Sequence, residues 1–354
     1  MSKFWRLFVL APLAFLPTSL PSCSFQQDDG GIYKTTDMGG NWSQNTKIEE
    51  DEKNNLSSTN TLDLVADPNN PAVVFWLIEG MGLFVSNNFG DSWKRIIPET
   101  DTVYSLAPER KEKGVFYLSA KLNNRGKILK TENGGLDWRE VYTESGEESV
   151  VERVASHSFT PNTVFAVNSL NLLTGSNDGG LTWQALFSFP EKVKNLVVDE
   201  EKNGQIWVLT DQNLWKSSEN GLNFVKIQLG EYGSLGNNFY FLKKNRTGLF
   251  VSTEKGLFRS QDEGETWQKI SVLSDPKNNP VLDLALIESG QNNGWIALAG
   301  MAMYLSFDEG RRWKPIQFEV SRRLNKILTK IDDPKQILIG VTNARISNSL
   351  GLSF

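Results

Sequence analysis

The chain has 354 residues, with 37 Lys and Arg against 42 Asp and Glu, a formal charge of −5 and a hydrophobic content of 39%. A mildly acidic chain lacks the concentrated basic surface that nucleic acid requires, so we expect no nucleic-acid partner. One His and one Cys exclude multi-His and thiolate metal sites and intramolecular disulfides, so we predict no metal and no cofactor.

The N-terminal segment has the layout of a secretory signal. Lys3 and Arg6 precede an apolar run at 7–16, which is too short to cross a bilayer as a helix. The run is followed by Leu-Pro-Ser-Cys, ending at Cys23, which resembles a bacterial lipobox. The alternative is a plain secretory signal with an incidental Cys. The preferred interpretation predicts a signal peptide at 1–22, a lipid on Cys23, a short tether at 23–30 and a bacterial, membrane-anchored, extracytoplasmic lipoprotein.

An eight-residue motif recurs along the chain with the pattern Ser/Thr-x-Asp-x-Gly-x-x-Trp, in which Asn, Glu or Phe replaces some of the defining residues. Successive copies end 41 to 51 residues apart, and a degenerate eighth copy ends at Phe354. Such a period indicates an array of small supersecondary units. The first seven copies, octads 1 to 7, contribute Asp37, Gly39 and Trp42; Gly90 and Trp93; Gly135 and Trp138; Asp178, Gly180 and Trp183; Gly221 and Phe224; Asp262, Gly264 and Trp267; and Asp308, Gly310 and Trp313.

Each octad is predicted to be the loop of a β-hairpin. Apolar strands flank it, a short acidic or amide side chain can accept nearby backbone N–H groups, and Gly permits a positive φ. The final aromatic side chain can bury a large face against the adjacent sheet. Asn88, Asn133 and Glu219 take the place that Asp has elsewhere. We therefore interpret the octad carboxylates as structural and not as an active site.

The octads resemble the Asp-box, or BNR repeat, of sialidases, sortilin-type receptors, two-propeller xyloglucanases and photosystem II assembly-factor propellers. The resemblance covers nearly all of the chain after the signal segment. It implies a β-propeller fold and leaves the function open among these classes.

Two further strand-like runs precede the octad in each repeat, so each period supplies four short antiparallel strands, A to D, with the octad between C and D. Only strand C fits between Cys23 and the first octad, whereas runs at 325–329 and 336–341 follow the seventh. We therefore predict an all-β, seven-bladed propeller over 31–354, closed by pairing N-terminal with C-terminal strands. The tail 344–354 competes for the same place, and eight blades is the alternative.

Strand order puts the B–C turns and D–A loops on the face opposite the octads, where propellers usually bind ligands. The D–A loops are rich in acids, such as the stretch 49–52. A few cationic or apolar residues lie inside this acidic rim and suit a polar or peptide ligand. The candidate binding residues are Met81, Lys121, Arg125, Lys127, Lys255, Met301, Arg322 and Arg345.

Enzymatic signatures are weak. Sialidases carry a Phe/Tyr-Arg-Ile-Pro motif that this sequence lacks, and xyloglucanases place their carboxylates between two propellers, whereas this chain has one. The single His157 is predicted in an A–B turn, with a structural role. We predict no catalytic residue and a membrane-tethered module that binds a protein or peptide, including one embedded in the membrane. The alternative is a glycosidase-like enzyme, with carbohydrate as the ligand.

Overall fold

A computed structural model describes residues 28–49, 51–97, 102–228, 238–289 and 292–343. Regular structure in these residues consists of β-strands. In chain order they are β1 (Ile32–Thr35), β2 (Ser43–Gln44), β3 (Lys47–Ile48), β4 (Asp51–Asn55), β5 (Thr61–Asp67), β6 (Asn70–Ile78), β7 (Gly82–Ser86), β8 (Lys94–Ile97), β9 (Thr102–Pro108), β10 (Phe116–Leu122), β11 (Arg125–Thr131), β12 (Arg139–Thr143), β13 (Val151–Ser156), β14 (Val164–Asn168), β15 (Leu172–Ser176), β16 (Gln184–Ser188), β17 (Val193–Val198), β18 (Ile206–Thr210), β19 (Leu214–Ser217), β20 (Val225–Ile227), β21 (Phe239–Asn245), β22 (Gly248–Thr253), β23 (Gly256–Ser260), β24 (Gln268–Ile270), β25 (Val281–Ser289), β26 (Asn292–Ala299), β27 (Ala302–Ser306), β28 (Lys314–Ile316), β29 (Arg323–Thr329) and β30 (Ile337–Thr342).

Seven four-stranded antiparallel sheets form the blades of a propeller. Strands β5 to β8 form blade 2, and each following group of four strands forms the next blade, up to β25–β28 in blade 7. Within a blade the strands are A to D in order. Strand A of every blade contacts the A strands of both neighbouring blades, so the seven A strands surround a central channel. The predicted all-β, seven-bladed fold is confirmed.

Blade 1 joins the two ends of the chain. Its sheet order is β29, β30, β1, β2, and β1 pairs antiparallel with β30 from Ile32 opposite Gly340 to Thr35 opposite Ile337. The predicted closure by N-terminal and C-terminal strands is therefore confirmed, and the N-terminal hairpin supplies strands C and D. The competing tail 344–354 lies outside the described residues. Without the N-terminal hairpin β30 would be an edge strand, so its pairing with β1 covers that edge.

The apolar core lies between the blades. Strand B is buried along most of its length in every blade, as in β14 and β18, whose residues are all buried. Side chains of adjacent blades interdigitate, and the rings of Phe75 in blade 2 and Phe116 in blade 3 lie 4.5 Å apart. Removing this apolar surface from water favours stacking of the blades around the ring.

The acidic stretch 49–52, predicted as an irregular D–A loop, is partly strand. β3 and β4 form a separate two-stranded sheet between blades 1 and 2. The Trp93 N–H donates to the Lys47 carbonyl at 3.0 Å, and the Glu49 N–H donates to the Trp93 carbonyl at 2.9 Å. These bonds supply partners for the backbone, which the charge pattern alone did not indicate.

Every octad forms the turn between strands C and D. In octad 4 the Ser176 hydroxyl accepts the Gly180 N–H at 2.9 Å and donates to Asp178 Oδ1 at 2.8 Å. Asp178 Oδ1 also accepts the Thr182 N–H at 2.9 Å. The bond from the fifth N–H to the first hydroxyl occurs in all seven octads. Because these bonds lie within the motif, each octad specifies its own turn.

The fourth and fifth octad residues both have positive φ. The fifth is always Gly, and the fourth includes Phe89 at 53° and Glu309 at 58°, a feature that sequence reasoning missed. A Cβ on Gly180 would lie 2.8 Å from Val141 of the preceding blade, whereas a Cβ on Gly134, a fourth residue, would meet nothing within 4 Å. Packing against the neighbouring blade, in addition to φ, therefore requires Gly at the fifth position.

Candidate functional site

The octad carboxylates are committed to their own turns. Hydrogen bonds from nearby hydroxyl and backbone groups hold the pKa of Asp37, Asp178 and Asp262 at about 2, with the hydroxyl bond as the largest cause in each. These groups are therefore ionised at neutral pH. They lie on different blades, so they do not form a shared site.

The face opposite the octads, called the loop face, is formed by the B–C turns and the D–A loops. Five of the predicted binding residues lie on this face, in the B–C regions of blades 2, 3, 6 and 7. Met301 is 52% exposed, whereas Lys127 forms an ion pair with Glu140 at 2.6 Å within its own blade. These residues are Met81, Lys121, Lys127, Lys255 and Met301; Arg125 is exposed at the start of β11, and Arg345 lies outside the described residues.

Arg322 forms an ion pair and hydrogen bonds within the protein that the sequence did not indicate. Its Nε lies 3.2 Å from Asp29 Oδ1, and its Nη1 donates to the Thr59 carbonyl and to Asn60 Oδ1. The Ser321 N–H also donates to Asp29 Oδ2 at 2.6 Å. Arg322 thus clamps the start of the described chain against blade 2 on the loop face.

The central channel carries charged residues near its loop-face mouth. Every A strand has a β-bulge close to its first residue, for example between Val151 and Arg153 in β13 and between Leu324 and Lys326 in β29. A bulge places two consecutive side chains out of the regular alternation. The second bulge residues of the seven A strands are Asp63, Ser105, Arg153, Asn195, Phe241, Asp283 and Lys326.

These residues link consecutive A strands. Ser105 Oγ accepts the Val154 N–H at 3.3 Å, and Asp283 Oδ2 accepts the Ile327 N–H at 3.1 Å. Asn195 donates to the Leu242 carbonyl at 3.0 Å. The second bulge residues therefore form a ring at one level of the channel, polar except at Phe241. Its hydrogen bonds join blade 3 to blade 4, blade 5 to blade 6 and blade 7 to blade 1.

Most of the charged side chains in the channel form ion pairs. Lys326 Nζ lies 3.2 Å from Asp63 Oδ1, and Lys243 Nζ lies 3.0 Å from Asp283 Oδ1. Burial opposes the charge of Lys326, but the nearby carboxylates of Asp63 and Asp283 outweigh it and raise the pKa of Lys326. The side chains of Lys326 and Asp63 are 33% and 35% exposed although the ring of blades encloses them, so the channel is wide enough for water.

Arg153 is a channel cation with unused hydrogen-bonding capacity. Its Nε donates to the Lys194 carbonyl at 2.9 Å and its Nη1 to the Glu152 carbonyl at 2.7 Å. Its Nη2 makes no hydrogen bond to any residue that the structure describes, and no described carboxylate lies within ion-pair distance. Burial lowers the pKa of Arg153, while Glu152 and Asp63 oppose that effect. Arg153 therefore offers free guanidinium N–H groups to an anionic or carbonyl-bearing ligand.

Sequence reasoning missed this ring. A signal was present, because the pairs Glu152-Arg153 and Asn325-Lys326 interrupt the apolar alternation of predicted inner strands with two consecutive polar residues. Alternation alone does not show that the seven bulges lie at one level, since that depends on the registers of separate blades.

His157 lies in the A–B turn of blade 4 and is buried. Its Nδ1 accepts the N–H groups of Phe159 and Thr160, both at 3.0 Å, and its Nε2 lies 3.0 Å from Asn220 Oδ1. Burial lowers its pKa, so the ring is neutral near neutral pH and Nε2 carries the donated proton. The imidazole holds a turn of blade 4 against the octad of blade 5.

Neither a metal cluster nor a membrane-spanning helix is present in the described ranges. Among those residues no group of three or more His, Cys, Asp and Glu side chains is arranged to hold a metal ion. In the same part of the chain no helix has the length and apolar character needed to cross a membrane.

No family model and no curated protein matches the sequence. Solved structures do resemble its fold. The GH74 xyloglucanase from Xanthomonas campestris has a TM-score of 0.67 at 13% identity, over 80% of this chain and 51% of that one, so this chain spans about half its length. YCF48 from Cyanidioschyzon merolae has a TM-score of 0.59 at 15% identity, and YCF48 bound to D1 peptide has 0.60 at 16%. These matches cover 80% of this chain and 95% and 94% of the YCF48 chains. At such low sequence identities the likeness shows the fold alone, and that fold is a β-propeller.

Proposed function

We propose that this protein is a non-catalytic, membrane-tethered β-propeller that binds a protein or peptide partner through a carboxylate at the loop-face mouth of its channel. The single observation that carries the proposal is the free Nη2 of Arg153, described above. A guanidinium held in place by two carbonyls is pre-organised to receive a carboxylate with two parallel hydrogen bonds. Lys326 and Lys243 are already paired with carboxylates, whereas Arg153 has no described carboxylate within ion-pair distance and can be neutralised by the ligand.

A propeller similar in fold supports the peptide part of the proposal. YCF48, with a TM-score of 0.60, has been solved with D1 peptide bound. That chain is matched over 94% of its length, so the likeness extends to the whole propeller and not to a fragment.

The proposed tether rests on Cys23 and its lipobox-like context. Asp29 is clamped to Arg322 on the loop face, and the Gly30 N–H donates to the Ser57 carbonyl in a D–A loop of the same face. Asp29 lies six positions after Cys23, and an extended chain over six positions spans at most about 22 Å. A lipid on Cys23 would therefore hold the channel mouth near the membrane, which suits a membrane-embedded partner.

The alternative is a glycosidase-like enzyme that acts on carbohydrate, and the fold of the xyloglucanase favours it. Such an enzyme needs two carboxyl groups about 5–10 Å apart, free to act as acid and as base or nucleophile. In the channel, Asp63 and Asp283 each form an ion pair with a lysine, and Asp283 also accepts two backbone N–H groups. Because both carboxylates already have these partners, neither is free to act as an acid or a base. The channel therefore favours ligand binding over hydrolysis.

The test uses libraries of random decapeptides with either a free or an amidated C-terminus, screened against the full-length protein. We expect selected binders to carry carboxylates and to lose at least tenfold in affinity with Arg153→Gln, and less with Arg153→Lys, which keeps the charge. The control is Arg110→Gln, which changes an exposed arginine paired with Glu200 on the octad face. Hydrolysis of xyloglucan oligosaccharides without peptide binding would overturn the proposal in favour of the alternative.

A further inference from the structure

The outermost strands of the blades differ in how their free edges are protected. A lysine, arginine or proline on an edge strand discourages pairing with another chain. Of the D strands with three or more residues, β16 in blade 4 is the one without any of these. The others contain Lys94 and Arg95 in β8, Arg139 in β12, Lys226 in β20, Lys269 in β24, and Lys314 with Pro315 in β28.

The uncharged stretch is longer than the strand itself. The sequence from Leu181 to Pro190, Leu-Thr-Trp-Gln-Ala-Leu-Phe-Ser-Phe-Pro, contains no charged residue. On its inner side β16 pairs with β15, and it is the last strand of its sheet, so no described strand pairs with its outer side. Gln184, Ala185 and Ser188 are exposed. The backbone N–H and C=O groups of this edge are therefore open to a further strand.

Exposed apolar side chains lie at both ends of β16. Leu181, in the octad that precedes it, is 73% exposed, and Leu170, in the B–C turn at the other end, is 70% exposed. The residues equivalent to Leu181 in the flanking blades, Leu136 and Leu222, are 80% and 57% exposed. Leucines in this octad position are thus exposed beside guarded and unguarded edges alike, so the feature that distinguishes blade 4 is the absence of charge on β16.

We propose that the outer edge of blade 4 pairs antiparallel with the same edge of a second copy of this chain, so that two four-stranded blades become one eight-stranded sheet across a two-fold axis. Such an axis brings an edge onto its own copy, so a lysine there would approach another lysine. β16 avoids that repulsion, whereas the other D strands of three or more residues do not. Because β16 carries no charge, it can face its own copy without repulsion, whereas it offers no ion pair to a charged partner. These two properties favour a second copy of this chain over a charged partner. A short strand and a few leucines make a small interface, so the dimer dissociates in roughly the micromolar range.

Sedimentation velocity tests the proposal. It is measured on the full-length protein in density-matched detergent, at protein concentrations from 1 to 200 μM. We expect a concentration-dependent monomer–dimer equilibrium, and Ala185→Lys should weaken the dimer at least tenfold. The matched control is Val225→Lys, which places a lysine on the exposed outermost strand of blade 5 and should leave the equilibrium unchanged. The thermal midpoint of each variant shows whether it is folded.

Amide hydrogen exchange locates the interface. In the wild type, the backbone N–H groups of residues 184–188 should gain protection at high concentration, and they should not do so in Ala185→Lys. A protein that stays monomeric at every concentration overturns the proposal. So does a dimer that survives Ala185→Lys, because its interface must lie elsewhere, and so does protection of 184–188 by a different bound protein.

Discussion

Blades 2 and 4 contain the same octad turn in different surroundings. In blade 2 the segment from Asn45 to Glu49 runs beside the octad, Trp93 Nε1 donates to the Asn45 carbonyl at 3.0 Å, and the indole is fully buried. In blade 4 nothing described runs along the outer edge, and Trp183 is half-buried, with its Nε1 bonded to the Val141 and Gly180 carbonyls. The motif therefore specifies a turn, whereas neighbouring segments decide how much of its aromatic side chain is buried and whether the blade edge is open.

The largest expected effect separates the two tryptophans. Trp93→Ala should lower the free energy of unfolding by about 3–5 kcal/mol, because it leaves a cavity in a closed core where the indole packs 5.1 Å from the Trp76 ring. Trp183→Ala should cost about half as much, since part of that indole already contacts water. Equilibrium urea unfolding measures both. Equal losses would show that burial of the octad aromatic does not differ between the blades.

The fifth octad glycines give the next effect. Gly90→Ala and Gly180→Ala should each cost about 2–4 kcal/mol, from the positive φ and from contact with the preceding blade. Gly90→Ala should cost more, because its Cβ would approach the fully buried Leu338, whereas Val141 beside Gly180 is half-buried and can shift. Gly134→Ala is the control, since it meets no atom within 4 Å and tests φ alone. A cost for Gly134→Ala equal to the others would contradict a role for inter-blade packing.

The third octad residue gives a smaller, acid-dependent effect. Asp178 has a pKa lowered to about 2, whereas blade 2 has Asn88 in the same position. Stability from Asp178 is present above its unfolded pKa of 3.8 and is lost as the pH falls from about 4 towards 2. Asp178→Asn should keep most of the stability at pH 7, because an amide oxygen can accept the same N–H, and should reduce the loss in acid. Thermal midpoints at pH 7 and pH 3 would show this, and equal acid sensitivity of both proteins would contradict it.

The smallest effect concerns His157, whose place in the A–B turn of blade 2 is taken by Asp67, which accepts the Asn69 N–H as His157 accepts that of Phe159. Burial lowers the pKa of His157 below its unfolded value of 6.5, so the folded state takes up its proton less readily than the unfolded chain. Stability should be unaffected above pH 6.5 and fall as the pH drops from there to the folded pKa. His157→Asn should show a smaller decrease between pH 7.5 and pH 5.5 in thermal unfolding. An identical decrease in wild type and variant would assign that pH dependence to other groups.

Much of the fold could be predicted from the sequence because its determinants are local. The hydrogen bond from Gly180 to Ser176 spans four positions, so a short motif is sufficient to specify the turn and its repetition reveals the number of blades. The closure of blade 1 was predictable from counting strands. The sequence has no room for strands A and B between Cys23 and β1, whereas two strand-like runs follow the seventh octad. The candidate site was less predictable. Arg322 is a cation in a loop of the predicted binding face. Its hydrogen bonds to Asp29 and Thr59 show that it instead stabilises the closure of the ring.

The repeat, the octad turns, the seven-bladed ring and its closure could all be predicted from the amino-acid sequence, because each rests on contacts within a repeat or on counting strands. Which residues lie in the channel and which lie on the rim depends on how the blades are arranged in the ring. Asp63, Arg153 and Lys326 come from blades 2, 4 and 1, and their charges act on one another only because the ring brings three distant A strands to one axis. The burial of Trp93 and the open edge of β16 have the same origin, since each depends on which distant segment lies beside a blade, and no local pattern encodes that.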